Sequence, residues 1–153
     1  MFERLIATPN DHTLTILRVT LGLVIAAHAA QKVFGWFGGA GLQGTVNIFS
    51  DVYGIPPLLA AIAIVVEVVS TVGIITGVLS RLAALGVIVI MIGAIVTVVG
   101  PNGFFMNWFG QMDAGLEGYE YHLLAIAMGI AVLVRGGGAL SVDRMISGRS
   151  TGR

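Results

Sequence analysis

Polar side chains interrupt this chain only at intervals, and between them run four apolar stretches, residues 13–37, 57–79, 82–100 and 119–140. Each can cross a hydrocarbon core about 30 Å thick, for which about 20 helical residues suffice. The third stretch holds no Asp, Glu, Lys or Arg, and unbroken apolar character over that length is the mark of a membrane span. The pattern predicts an all-α integral membrane protein built as a bundle of four transmembrane helices. A tight turn at Ser80-Arg81 makes the second and third spans an antiparallel hairpin. The first span follows a polar start (Glu3, Arg4, Asp11, His12) and carries charges of its own, unlike the clean apolar core of a cleaved signal peptide. One membrane domain over 1–153 is expected, with a mobile tail from about 144 to 153.

The other connections are longer. Residues 38–56 start rich in glycine and close on Pro56-Pro57, and Leu42, Val46, Ile48 and Phe49 predict a short interfacial helix there. Residues 101–118 mix Phe104, Phe105, Trp108 and Phe109 with Asp113 and Glu117, a composition suited to the membrane–water boundary. Gly73 and Gly77 stand four residues apart, which lets another helix approach closely, within the bundle or in a homo-oligomer.

Composition narrows the class. The 153 residues are 56% hydrophobic and 10% charged, whereas a soluble domain carries about 25% charge. So little charge cannot coat a soluble helical bundle. Eight basic residues balance eight acidic ones, leaving no positive field for nucleic acid. The absence of cysteine excludes disulfides, thiol catalysis, iron–sulfur clusters and cysteine-ligated zinc.

Charge placement predicts orientation. Arg4, Arg81, Arg144, Arg149 and Arg153 flank the spans at one end; Asp51, Asp113, Glu117 and Glu120 lie at the other, with only Lys32 beside them. The positive-inside rule places both termini and the short turn in the cytoplasm. Four spans likewise require the two termini to lie on one side.

Charged groups within spans are costly and turn toward the bundle interior. In the first span Arg18, His28 and Lys32 fall within about 80° of one another around the helix, near Gln31. In the second, Ser70, Thr71 and Arg81 lie within about 60° of Glu67. Counted from the cytoplasmic ends, His28 stands about 22 Å and Glu67 about 18 Å up their helices, with Lys32 about 6 Å above His28. These depths predict an outward-leaning polar cluster of His28, Gln31, Lys32, Glu67, Glu120 and Tyr121, with Arg18 and Arg81 as a cytoplasmic-side layer. Trp36 and Trp108 are positioned to form a lid, while His12 and His122 are expected to face solvent or the interface. Bland alternatives accompany several of these: Lys32 snorkelling, Arg81 at a helix end, Glu120 answering a helix dipole. Glu67 is too deep to snorkel and is expected to pair with His28 or Lys32. His28, Glu67 and Glu120 are conceivable metal ligands, but no ligand spacing supports them and no metal site is predicted. Motifs for phosphate loops, dinucleotide folds and haem attachment are absent.

With these residues in order, the chain resembles the DoxX family of small four-helix bacterial membrane proteins over nearly its whole length. The likeness rests on Leu17-Arg18 with Gly22, the run from His28 through Gln31-Lys32 to Gly35, and Glu67. It continues with Gly73 to Gly77, Arg81, Gly103-Phe104-Phe105, Glu120-Tyr121 and the segment from Gly136 through Ser141 to Asp143. Ala29 stands where many relatives carry glycine. The resemblance implies a multi-pass bacterial inner-membrane protein in contact with lipid and linked to redox metabolism or oxidative-stress defence. One branch of the wider family supplies a subunit of thiosulfate:quinone oxidoreductase; others act in membrane-bound oxidoreductase assemblies or in resistance to thiol-reactive and electrophilic stress.

Two functional classes follow. In the first, the chain is a membrane subunit or partner of an oxidoreductase, with a quinone or small-ligand site in the polar cluster. Without cysteine, any redox role then requires a bound quinone, another cofactor or a redox partner protein. In the second, it is a non-enzymatic adaptor or carrier for a partner protein, lipid or small solute, and its buried charges only set helix register. The residues specify no catalytic group.

Overall fold

A computed structural model describes residues 2–110, 113 and 116–150, and among them only helices, turns and loops occur. The helices are α1 (Phe2–Ile6), α2 (His12–Phe34), α3 (Gly41–Asp51), α4 (Pro57–Thr76), α5 (Ser80–Ala94), α6 (Glu120–Arg135) and α7 (Val142–Ser150). Three helical stretches are long and apolar enough to cross a membrane: His12–Phe34, Pro57–Thr76 and Ser80–Asn102. The last is α5 extended by a π-helical turn, Ile95–Val99, and a 3-10 turn, Gly100–Asn102.

Local chemistry sets the boundaries. Asp11 caps α2 by accepting from the backbone N–H groups of Thr13 (2.8 Å) and Leu14 (3.3 Å), and Gly35 ends it in the left-handed region, three residues short of the expected end at residue 37. Helix α4 starts with Pro57 in its first turn and stops at Gly77 (φ 73°), before residue 79. The fourth apolar stretch is cut more severely. Helix α6 has 16 residues, about 24 Å of rise, because Gly136 (φ 91°) turns the chain out of the helix; the expected continuation to residue 140 is instead a loop packed on the bundle end. The stretch expected to be a tail is helical as α7 through Ser150. Arg153 lies outside the described residues.

One end of the bundle, called here the turn end, gathers α1, the start of α2, the α4–α5 turn, the end of α6 and α7. There Arg81 donates to the Ala7 carbonyl and Asp143 to that of Gly77. The opposite, loop end carries α3 and residues 103–119. The core between them centres on Leu21, Ile25, Ile74, Ala84, Val87, Met91, Ala125 and Val132. Gly73 permits close contact of α4 with α5, since a Cβ there would stand 2.7 Å from that of Ala83. The small-residue spacing on α4 is thus filled inside the bundle.

The outside is apolar. Ile16, Leu23, Val65, Val69, Leu82, Val89, Val96, Leu124 and Val134 are exposed, while Arg18, Glu67, Ser70, Thr71, Ser80, Ser141 and Asp143 are buried. A water-soluble protein reverses that arrangement. A helical bundle in lipid requires it.

Candidate functional site

The polar groups inside the bundle separate into two layers. Near the loop end, Lys32 reaches from α2 to Glu67 of α4, its Nζ lying 2.7 Å from both carboxylate oxygens. Glu67 is 5% exposed and Lys32 27%. This is the ion pair expected for Glu67, with Lys32 rather than His28 as the cation. The pair is braced locally: Thr71 donates to the Glu67 carbonyl (2.7 Å), and Thr45 of α3 donates to the Lys32 carbonyl (3.2 Å).

His28 and Tyr121 meet across α2 and α6, with ring centroids 5.6 Å apart. Both stand within Coulombic reach of Glu67. Gln31, one turn from His28, hydrogen-bonds it and also approaches the Phe37 carbonyl at 3.5 Å. His122 belongs here too. Its ring packs against Tyr121 at 5.3 Å and lies within Coulombic reach of His28 and Lys32. Its Nδ1 and the Tyr121 hydroxyl are both buried without a hydrogen-bond partner. His122, expected to face solvent or the interface, instead turns its Nδ1 inward: α6 is rotated so that Tyr121 and His122 flank the cluster. Their adjacency to Glu120 in the sequence was the available signal, but only the rotation of α6 decides it.

Glu120 does otherwise than expected. Its carboxylate turns away from Lys32 to the loop, accepting from Met106 N–H (3.1 Å) and Trp108 Nε1 (3.2 Å). Glu117 accepts from Asn107 N–H at 2.6 Å. Backbone pairing of Gly118, Tyr119 and Glu120 with Phe105, Gly103 and Phe104 closes the same loop. The two tryptophans, expected as a lid, belong to the two loop-end segments. Trp108 is held by Glu120 at 72% exposure, and Trp36, 60% exposed, packs on Phe34 and Phe37. Among the described residues no three of His, Asp and Glu converge to hold a metal ion.

At the turn end, Arg18 is 1% exposed. Its Nε donates to Gly137 O (2.9 Å), Nη2 to Leu140 O (2.9 Å), and Nη1 to Ile75 O (2.6 Å) and Ile74 O. Arg81 does the same for α6, donating through Nη1 to Leu133 and Val134 carbonyls at 2.6 Å. The last carbonyls of a helix have no partner within it and carry partial negative charge. These arginines supply the missing donors at the ends of α4 and α6. Asp143 performs the converse task for α5, accepting from the N–H groups of Leu79 and Ser80 at 2.8 Å each. Those contacts hold Leu79 in a left-handed conformation (φ 46°) that a branched side chain rarely adopts. Ser141 and Asp143, overlooked as functional groups in the sequence, dock α7 to the hairpin.

An open groove of about 410 Å³ runs elsewhere, along the outer faces of α4 and α5 between Val65, Val69, Leu85 and Val89, with Ser70 and Gly86 at its floor. Its lining is apolar and it does not include the Lys32–Glu67 pair.

Comparison with curated proteins and with solved structures finds no match. The family model described as DoxX matches residues 13–100, which takes in α2, α3, α4 and α5 and with them Arg18, His28, Lys32, Glu67 and Arg81. The chain belongs to the DoxX family.

Proposed function

We propose that the protein is a four-span inner-membrane partner of an oxidoreductase and binds a small polar-headed ligand, a quinone, at the Lys32–Glu67 cluster. Helices α2, α4, α5 and α6 are the spans, and the turn end, with Arg4, Arg81 and Arg144, lies in the cytoplasm. One observation carries the ligand: the Tyr121 hydroxyl and His122 Nδ1 are buried and unpartnered beside a buried ion pair. Polar atoms removed from water and left unpaired cost about 1–3 kcal/mol each, and a ligand whose carbonyl oxygens accept from them offsets that cost. Glu67, held by Lys32, is placed to exchange protons with a reducible head group, and the exposed His28 supplies a further donor. Because the chain has no cysteine, electrons pass through the quinone, another cofactor or a redox partner protein.

The test is mass spectrometry of the protein extracted from its native membrane. A quinone should copurify with wild type and be lost in Lys32→Met and Tyr121→Phe, with expression and folding intact. Variants that fold, retain the quinone and complement a deletion strain under oxidative stress refute the site. They favour instead an adaptor or carrier whose buried charges are structural, a reading supported by Arg18 and Arg81, whose hydrogen bonds go to backbone carbonyls.

A further inference from the structure

The way into the cluster is legible from what surrounds it. On the aqueous side at the loop end it is stoppered. Residues 35–45 fold back over α2 so closely that a Cβ on Gly39 would stand 2.3 Å from the Gln31 carbonyl oxygen. Thr45 fastens this segment to Lys32. Across the bundle, residues 103–108 are tied to 117–120 by three backbone hydrogen bonds and by both Glu117 and Glu120.

Toward the lipid, the α2–α6 side is different. At 100° per residue the buried positions of α2 centre on Arg18, Ile25 and Ala29, and His28 lies about 80° to one side of that line. On the opposite side Gly22 meets Ile74 and Ile75 of α4, so His28 is on the edge facing α6, as its contact with Tyr121 confirms. Lower on this edge Leu21 is buried, yet Val24 and His28 are exposed. This edge of α2 is therefore covered near the turn end and exposed in its loop-end half, where the His28–Tyr121 ring contact spans the seam. An imidazole exposed there faces hydrocarbon, where ionisable side chains are rare and mark functional positions.

We infer that the α2–α6 seam is a lateral portal, framed by His28 and Tyr121, through which an amphiphile enters the cluster from the bilayer. Its head carries hydrogen-bond-accepting oxygens that meet the Tyr121 hydroxyl, and its apolar tail lies in lipid against Val24. This rests on the ligand site proposed above and adds the route and the need for a tail. A quinone ring and the ester carbonyls of a phospholipid share this chemistry.

Because the chain contains no cysteine, Val24→Cys carries a unique spin label one turn below His28 and leaves the cluster intact. Val65→Cys, on the lipid face of α4 and 60% exposed in the wild type, is the control. With the full chain in nanodiscs, decylubiquinone is titrated while the label's collisions with oxygen and with an aqueous nickel chelate are measured. The expected result is oxygen access without nickel access at residue 24, and a saturable fall in oxygen access of at least twofold on adding decylubiquinone. Residue 65 should be unmoved, tail-less benzoquinone should be ineffective, and the response should vanish in the additional His28→Leu background. Shielding at residue 24 already present without quinone, relieved when phospholipid is exchanged for detergent, assigns the seam to a lipid head group instead. Nickel access at residue 24, equal changes at 24 and 65, or displacement by benzoquinone overturns the portal. Quinone that copurifies and depends on Tyr121 while residue 24 stays silent overturns the route and spares the site; absence of any copurifying quinone removes the site itself.

Discussion

The two polar layers of this bundle are made of similar residue types and do different work. At the turn end, Arg18, Arg81 and Asp143 bind backbone groups that the helices leave unpaired, and in doing so they fasten α6, its following loop and α7 onto the α4–α5 hairpin. At the loop end, Lys32 and Glu67 bind each other, and the aromatic groups around them keep polar atoms without partners. A charge that completes a helix terminus is explained by the fold alone. Each layer keeps two buried polar atoms without a partner, Ser80 Oγ and Arg81 Nε at the turn end and the Tyr121 hydroxyl and His122 Nδ1 at the loop end, so the contrast lies in what the charges bind: backbone at one end, each other at the other.

The contrast can be broken most violently at Arg18. Arg18→Leu deprives four carbonyls of their donor, at about 1–3 kcal/mol for each buried group left unpaired. Expected is either failure to accumulate or a detergent melting temperature lower by at least 10 °C, on the scale of about 2–4 °C per kcal/mol for a chain of this size. An unchanged melting curve would mean that the turn end is not held by this residue.

Next in size is Glu67→Ala, which strands the Lys32 ammonium; removing one partner of a buried pair costs about 3–5 kcal/mol. Glu67→Gln should be milder. The pair Lys32→Met with Glu67→Leu should recover most of the stability, since well-packed apolar side chains often replace a buried ion pair without loss, and it should still fail to retain quinone. Recovery of both stability and retention would place the two layers in the same structural class.

Asp143→Asn keeps one acceptor for the Leu79 and Ser80 N–H groups, so a loss of about 1 kcal/mol is expected, as for a weakened helix cap. Urea or thermal melts of the full-length variant should show only this small increment if the carboxylate acts as a cap. The smallest stability loss belongs to Tyr121→Phe. The hydroxyl has no partner, so its removal should leave stability unchanged or raise it by about 1 kcal/mol while quinone retention falls. A large destabilisation would show instead that the hydroxyl is already satisfied in the folded protein.

Much of this molecule is dictated by local sequence. Apolar runs of span length, the Asp11 cap, Pro57 and the glycines at 35 and 77 suffice for α2, α4 and α5, because membrane insertion and helix termination depend on a window of a few residues. The pairing of Glu67 with a cation of the first span also follows from depth and face, since a carboxylate so far from either interface has nowhere else to go. What only the tertiary structure decides is which partner each remaining polar group finds. The rotation of α6 sends Glu120 to the loop and brings Tyr121 and His122 to the cluster. The return of residues 136–143 beneath the bundle gives Arg18 two of its four carbonyls and the α4–α5 turn its carboxylate. Those partners are backbone groups far away in the chain. Every residue carries the same N–H and C=O, so no residue type announces in advance which of them a side chain will meet.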